Sequence, residues 1–234
     1  MKNKPFGLAM ALLAGAALAY AGVQEYTLKR TAKAGEVFRY QMSGELELMG
    51  QSVGMKAITV NKTVKVEPNG NYVVESTMTD GKISINGGEM DMPEQTGTTT
   101  TFKADGTVVD VKGEGVEQGG WRMANLMSAI VPERGLKVGE GWTSEVKGDT
   151  KKQSVDVKGT YTLEAIEKTE WGDAARVKYE LKETSGDVAA SMSGTAWIDT
   201  KTGNMVKMDS VWKDVPIPGA PAPISGKMSM HLLK

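Results

Sequence analysis

Alternation of apolar and polar side chains is the feature that most constrains how this chain folds. From Phe38 to Leu48 the even positions are apolar or aromatic, apart from a glycine, and the odd positions are polar. A repeat of two places each kind of side chain on its own face of a β-strand. Similar runs recur at positions 58–66, 72–78, 155–163, 177–181 and 188–198. The pattern predicts antiparallel strands with one buried face and one solvent-facing face.

Turn residues separate these runs and predict a meander of hairpins. They are Pro68-Asn69-Gly70-Asn71, Ala104-Asp105-Gly106, Trp171-Gly172-Asp173 and Thr202-Gly203-Asn204. Glycine and asparagine supply the left-handed backbone that tight turns need, and Asp side chains accept hydrogen bonds from the turn. We therefore expect a mainly β protein built on a curved antiparallel sheet of about ten strands.

One segment departs from this pattern. Between Gly120 and Pro132, the residues Trp121, Ala124 and Val131 recur at helical spacing. Proline cannot continue a helix, so Pro132 ends the run. The spacing predicts one central helix at about 120–131.

The chain repeats its turn signals on either side of this helix. Ala34-Gly35-Glu36-Val37-Phe38 resembles Val138-Gly139-Glu140-Gly141-Trp142, and the turns at Gly70 and Asp105-Gly106 resemble those at Gly172 and Thr202-Gly203. One spacing of about 100 residues predicts duplication of a structural unit. The first repeat would span about 26–113 and the second about 136–234.

This alignment makes a prediction about two tryptophans. Trp142 occupies the place that Phe38 holds in the first repeat. We expect each ring to fill the corner where its half of the sheet meets the helix, so that Trp142 is deeply buried. Trp212, beside the Pro-rich stretch 215–224, is expected to contribute less to stability.

The first 21 residues predict a secretory signal peptide. Lys2 and Lys4 precede an apolar run from Phe6 to Ala19, and small-residue cleavage sites end at Ala19 and Ala21. The run is shorter than the roughly 20 residues of a spanning helix. We therefore predict an exported chain, periplasmic or extracellular, whose mature part, 22–234, is a single β domain without a membrane span.

Composition and motifs argue against several classes of function. The 28 basic and 29 acidic residues give no electrostatic footprint for nucleic acid, and the lack of cysteine excludes thiolate metal sites and cysteine nucleophiles. Ser144 and Lys147 match a Ser-x-x-Lys motif, but a spacing of three on a strand separates their faces. The one histidine, His231, lies at the C-terminal end. We predict no catalytic residue, no cofactor and no metal site.

Methionine is abundant, with 15 residues in the chain. Copper binding is not favoured, because the Met and His side chains of Met228-Ser229-Met230-His231 face opposite ways on a strand. Four methionines fall instead on predicted apolar faces: Met42, Met78, Met192 and Met230. Flexible thioethers suit a surface that adapts to varied apolar ligands, so these four are the candidate binding residues.

Two short motifs support a resemblance. The stretch Gly139-Glu140-Gly141-Trp142 and the Gly-x-x-x-Ile-Asp-x-x-x-Gly stretch from Gly194 to Gly203 are similar to those of exported bacterial families of unknown function. Those families resemble the β half-barrel of the lipoprotein-carrier superfamily. The resemblance implies an envelope location and an apolar ligand, and it transfers no catalytic residue.

Three functions remain open at this point. The first is a non-enzymatic exported protein that binds an apolar ligand, a lipid or a lipidated partner on a concave sheet. The second is an envelope scaffold, or a module that binds another envelope protein, with a filled core. The third is a hydrolase with a carboxylate site that no motif reveals, since the acidic residues show no distinguishing pattern.

Overall fold

The computed structural model describes residues 24–92, 95–113, 116, 119–217 and 221–234. The predicted signal peptide lies outside these residues, as do parts of the connections at 113–120 and 215–224. Within the described residues, no helix has the length and apolar character needed to cross a membrane.

The described chain forms twelve strands, with one α-helix between the sixth and seventh. The strands are β1 (Val37–Leu48), β2 (Gln51–Val66), β3 (Tyr72–Ile85), β4 (Gly88–Asp91), β5 (Gln95–Phe102), β6 (Val108–Lys112), β7 (Gly141–Val146), β8 (Val157–Thr169), β9 (Gly172–Glu183), β10 (Ser191–Asp199), β11 (Met205–Val215) and β12 (Ile224–Leu232). The helix is α1 (Gly120–Leu126), and a short 3-10 helix covers Thr150–Lys152.

All twelve strands belong to one open antiparallel sheet, as the alternation predicted. The order across the sheet is β6, β5, β3, β2, β1, β12, β11, β10, β9, β8 and β7, and β4 pairs with β3 on the side. The first half of the chain, β1–β6, therefore joins the second half, β7–β12, through the central pair of β1 and β12. The connection that contains α1 carries the chain from one edge of the sheet to the other.

The sheet is strongly curved. Phe102 on β5 and Trp142 on β7 lie nine strand spacings apart, about 43 Å in a flat sheet. Both nevertheless line one cavity of about 250 Å³. The sheet must therefore bend around that cavity, and the predicted half-barrel form is confirmed. We call the surface that carries Tyr40, Val177 and Ala196 the inner face.

Each half begins with an ion pair of the same kind. Arg30 Nη2 donates to Glu36 Oε1 at 2.8 Å, and Arg134 pairs with Glu140 in the same way. Both pairs belong to an Arg-x-x-Lys-x-Gly-Glu segment, and the two segments are 104 positions apart. The first strand of each half follows directly.

The backbone around these segments also matches. Gly35 N donates to Thr63 O at 2.7 Å, and Gly139 N donates to Leu163 O at 2.7 Å. In both halves the loop before the first strand thus pairs with the second strand. The two sets of strands also run in the same direction across the sheet. These facts agree with a duplicated unit, and the duplication itself stays a prediction.

The helix is shorter than predicted: it ends at Leu126 and not at about residue 131. Its N-cap, Gly119, provides no side-chain hydrogen bond. Beyond the helix the backbone finds partners in other elements, since Val131 N donates to Asp105 O at 3.0 Å. Residues 128–131 therefore form an extended covering segment, although their apolar spacing is helical.

Two strand predictions need correction. Val188, predicted on a strand, lies in the loop before β10 and is exposed. The segment Gly87–Thr101 contains Pro93 and ends in four threonines, a pattern that predicts a loop leading into a Thr-rich strand. Its first part instead forms β4, which pairs with β3. The turn Asn86-Gly87, with φ of 50° and 81°, makes that extra hairpin.

The predicted burial of the two tryptophans is reversed. Trp212 is only 3% exposed, and its indole donates to Ser210 Oγ at 2.9 Å. Trp142 is half-buried. Trp142 bonds Ile130 O, in the segment beyond the helix, and one side of its ring borders the cavity instead of packed protein. The burial of each ring depends on the segments that cover it, and the alignment carries no information about them.

Candidate ligand-binding cavity

A cavity of about 250 Å³ lies between the inner face and two segments that cross it. The first covering segment is Leu28–Arg30 and the second is Met127–Val131. Side chains from both halves of the sheet form the floor, which is mainly apolar, with Val177, Leu181 and Ala196 among them. An engineered apolar cavity of about 150 Å³ binds benzene, so this space is large enough for a small organic molecule.

Each covering segment is held by a hairpin turn. Thr31 N, next to the first segment, donates to Thr202 O in the β10–β11 turn at 2.8 Å. Val131 N, in the second segment, donates to Asp105 O in the β5–β6 turn at 3.0 Å. The residues that flank the two covering segments also pair with each other, because Tyr26 and Leu136 exchange both backbone hydrogen bonds. The cover is therefore connected to both halves of the sheet.

The turns approach the cover so closely that only glycine fits. A Cβ atom on Gly203 would lie 2.4 Å from Lys29 O, and one on Gly106 would lie 2.3 Å from Ala129 O. Both glycines also have positive φ, at 70° and 93°. The sequence signalled these residues as turn formers, but their contact with the covering segments is a tertiary property.

Trp142 and Tyr161 hold the second covering segment in place. Their rings stack with centroids 5.0 Å apart. Trp142 Nε1 donates to Ile130 O at 2.8 Å, and the Tyr161 hydroxyl donates to Ser128 O at 3.3 Å. Since Ile130 N in turn donates to Tyr161 Oη at 3.4 Å, this segment is bonded at several points along its backbone.

The four methionine candidates are placed differently. Met192 and Met230 line the cavity. Met42 is the cross-strand partner of Met230, and its sulfur lies 2.8 Å from Thr59 Oγ1, but it is not part of the cavity wall. Met78, on β3, lies outside the wall as well. The structure brings Met205 and Met208 of β11 to the cavity instead.

The polar end of the cavity is built around Arg30. Its guanidinium bonds Glu36 at 2.8 Å and Thr63 Oγ1 at 3.0 Å. It also lies over the rings of Tyr72, 4.6 Å from the centroid, and Phe38, at 5.7 Å. The positive charge of Arg30 is thus matched by a carboxylate and by two aromatic faces.

Unpartnered polar atoms are concentrated at this cavity. Among the described side chains, four buried polar atoms have no hydrogen-bond partner: Arg30 Nε, Asn61 Oδ1, Tyr179 Oη and Trp171 Nε1. The first three belong to residues of the cavity wall. Buried polar groups in native proteins are nearly always satisfied by protein groups or by ordered water, so these three atoms are places where a water molecule or a bound ligand would supply a partner.

Burial changes the acidity of the wall tyrosines. Desolvation raises the pKa of Tyr179 to about 12 and that of Tyr40 to about 12. The hydroxyl of Tyr40 donates to Met205 O at 2.9 Å. The nearby Ser210 hydroxyl lowers the pKa of Tyr179. That hydroxyl donates to Met228 O and accepts from Trp212 Nε1, and Tyr179 Oη has no hydrogen-bond partner among the described residues. Both phenols are therefore neutral at ordinary pH.

The sequence motifs that suggested chemistry are not assembled into a site. Ser144 Oγ lies 3.3 Å from Tyr161 Oη, while Lys147 pairs with Asp156 at 3.0 Å. His231 sits on β12 opposite Gln41. In the part of the chain that the structure describes, no group of His, Asp and Glu side chains is arranged to hold a metal ion.

Sequence reasoning did not identify Arg30, Asn61 or Tyr179. Arg30 precedes the first strand, and Asn61 and Tyr179 are on strands that lie five positions apart across the sheet. No local spacing links three such residues. The sequence signal pointed the other way: in the run 58–66 the apolar side chains occupy even positions, so Asn61 falls with Thr59 and Thr63 on the face predicted to be solvent-exposed.

The comparisons with known proteins give a fold-level likeness. No protein-family model and no curated protein matches this chain. The hypothetical lipoprotein YmcC from Escherichia coli (K12) is 15% identical, with a TM-score of 0.33 over 83% of this chain and 86% of its own. A Bacteroides fragilis protein described as exported, with a YmcC-like fold, is 11% identical, with a TM-score of 0.33 over 90% of this chain and 100% of its own.

A DUF1329 family protein from Desulfovibrio piger is 10% identical, with a TM-score of 0.24 over 86% of this chain and 85% of its own. The expected resemblance to exported bacterial proteins is confirmed at this level. Because the TM-scores are below 0.5, the cavity is interpreted from its own residues.

Proposed function

We propose that this chain is a non-enzymatic, exported protein of the bacterial envelope that binds a small apolar ligand, or one acyl chain of a lipid, in the cavity of its inner face. The observation that carries the proposal is the apolar cavity of about 250 Å³ beneath the two covering segments. A filled core would instead favour the scaffold function. The predicted signal peptide supports export.

The cavity wall has the character of a site for apolar molecules. Aliphatic, aromatic and thioether side chains make up most of it, with a few polar groups at the ends. Small-molecule sites commonly combine an apolar lining with a small number of polar groups that set orientation. Met192, Met205, Met208 and Met230 can adjust their shape at little cost, which suits ligands of varied outline.

A neutral fluorescent probe, N-phenyl-1-naphthylamine, tests the proposal on the mature chain. We expect saturable binding with a strong rise in fluorescence. Ala196→Phe places a ring in the cavity and should abolish the signal, because Ala196 is a buried wall residue. Ser193→Phe on the opposite face of the same strand is the matched control, since Ser193 is exposed.

Thermal melts of both variants check that the fold is retained. Mass spectrometry of organic extracts from gently purified protein then identifies any ligand carried from the cell. Absence of probe binding to the wild-type protein, or equal binding to the Ala196→Phe variant, would reject the cavity as the binding site and favour the scaffold function.

A further inference from the structure

The two halves of the cavity wall differ in one functional respect. In the second half, Trp142 and Tyr161 are cross-strand partners, and their polar atoms bond the second covering segment. In the first half, the corresponding cross-strand partners are Phe38 and Asn61. A phenylalanine has no polar atom to bond the cover, and Asn61 Oδ1 is buried without a partner among the described residues. The first half therefore keeps a free acceptor at the cavity.

A second unpartnered polar atom, this time a donor, belongs to Arg30, which is also a residue of the cavity wall. Arg30 Nη2 is used by Glu36 and Thr63, but Arg30 Nε is buried and bonds no described residue. Thr63 and Asn61 are two positions apart on β2, so they share a face and are separated by about 6.6 Å along the strand. The guanidinium that bonds Thr63 therefore approaches the same face of β2 that carries Asn61.

The charges at this end disfavour an anionic ligand. Arg30 is already paired with Glu36 at 2.8 Å. Asp105 is a further acidic residue of the wall. The charges of Arg30, Glu36 and Asp105 all act on Tyr72 at this end of the cavity, so one cation is set against two carboxylates. A ligand carboxylate would find no positive charge that is not already matched. Burying a charge without a partner is far more costly than burying a neutral polar group.

We propose that Arg30 Nε and Asn61 Oδ1 form a hydrogen-bonding subsite that selects an apolar ligand with an uncharged head group able both to donate and to accept, such as a primary amide or an alcohol. The proposal rests on the proposed function, because it names the ligand class of the same cavity. The ligand carbonyl or hydroxyl oxygen accepts from Arg30 Nε, and its N–H or O–H donates to Asn61 Oδ1.

Three probes with short chains separate the contributions of the head group. Octanamide carries both a donor and an acceptor. 2-Nonanone replaces the amide nitrogen with a methyl group of similar size and lacks the donor. Octanoate at pH 8 carries a negative charge. Their affinities are measured by displacement of N-phenyl-1-naphthylamine from the mature protein.

We expect octanamide to bind about tenfold more tightly than either 2-nonanone or octanoate, since an unpaired buried acceptor or charge is costly. Asn61→Leu should reduce the preference over 2-nonanone to about twofold or less. Gln41→Leu removes an amide from an exposed position on β1, so this control should keep the full preference.

The ranking in the wild-type protein remains informative even if Asn61→Leu does not fold. Equal affinity for octanamide and 2-nonanone, or tightest binding of octanoate, would overturn the subsite while leaving the proposed function intact. A wild-type protein that fails to bind the fluorescent probe at all would overturn both.

Discussion

At the scale of single residues, the cover of the cavity depends on two glycines, which have no Cβ atom. Gly203 and Gly106 let two hairpin turns touch the backbone of the covering segments, where a Cβ would meet a carbonyl oxygen at 2.4 and 2.3 Å. The turn chemistry of these glycines was evident from sequence, because a positive φ is a local requirement. Their second role, as contact points for the cover, follows only from the assembled fold.

Replacing Gly203 with alanine should destabilise the protein by about 2–4 kcal/mol. This cost combines the strain of an alanine in the left-handed conformation with the steric clash between its Cβ and the cover. Gly50→Ala is the matched control. Gly50 has a similar φ of 79°, and a Cβ on this residue would meet no other atom within 4 Å. It should cost only about 1–2 kcal/mol. Urea unfolding measures both, and equal losses would show that Gly203 does not contact the cover.

The tryptophans give a second prediction at this scale. Trp212→Ala should lower the stability by about 3–5 kcal/mol, because the ring is 3% exposed and leaves a cavity in packed protein. Trp142→Ala should cost less, since one side of that ring already borders open space. Thermal melting of the two variants under one condition compares them. A larger loss for Trp142→Ala would contradict the observed difference in burial.

At the scale of elements, α1 is attached to the sheet by one buried ion pair. Arg122 bonds both carboxylate oxygens of Glu183 on β9 at 2.6 Å, and the Glu183 side chain is fully buried. Ala190 N also donates to Glu183 at 2.7 Å. The hydrogen bonds to Glu183 raise the pKa of Arg122. This pair fixes the helix and the loop before β10 to the edge of the cavity.

Arg122→Met should cost about 3–5 kcal/mol, because it leaves a buried carboxylate without its cation. Combining Arg122→Met with Glu183→Leu is expected to recover much of this loss, since two apolar side chains then replace the pair.

Arg176→Met is the matched control at a surface pair. Arg176 bonds Glu164 at 3.2 Å and Glu167 at 2.5 Å, and its side chain is 36% exposed, as are those of its two partners to a similar extent. Such a pair contributes about 1 kcal/mol or less. Chemical denaturation of all three variants is the measurement, and a cost for Arg122→Met as small as that for Arg176→Met would contradict a structural role of the buried pair.

At the scale of the whole molecule, the curved sheet and its cover act as one unit, because the cover bonds turns of both halves. The buried tyrosines of the inner face link this packing to pH. The pKa of Tyr40 and that of Tyr179 are each raised to about 12, mainly by desolvation. Burial favours the neutral phenol, so each tyrosine stabilises the fold fully below pH 10, the ordinary value.

This contribution should be lost as pH rises from about 10 to about 12. A shift of about two pKa units corresponds to about 2–3 kcal/mol for each tyrosine. Unfolding free energies measured across this range should therefore decline, and Tyr179→Phe should flatten the decline. Ultraviolet titration of the phenols monitors ionisation directly. Ionisation of all tyrosines near their ordinary pKa in the folded protein would contradict the burial of these two.

Local patterns predicted a large share of the fold. Period-two alternation identified most strands, and the residues at Gly70, Gly106, Gly172 and Gly203 marked hairpin turns that the sheet contains. These features can be predicted from the sequence because side-chain direction and turn conformation depend on neighbours in the chain. Met192 and Met230, two of the four methionine candidates, line the cavity, and their role as ligand contacts stays a prediction.

The remaining features depend on which distant segments meet. The helix ends at Leu126, because residues 128–131 find hydrogen-bond partners on β7, β8 and the β5–β6 turn. Trp142 borders a cavity, whereas Trp212 is enclosed. Arg30 reaches Thr63, which shares a face of β2 with Asn61, because a segment before the first strand folds back over β2. Burial and unpaired polarity are properties of assembled surfaces, so only the tertiary structure decides them.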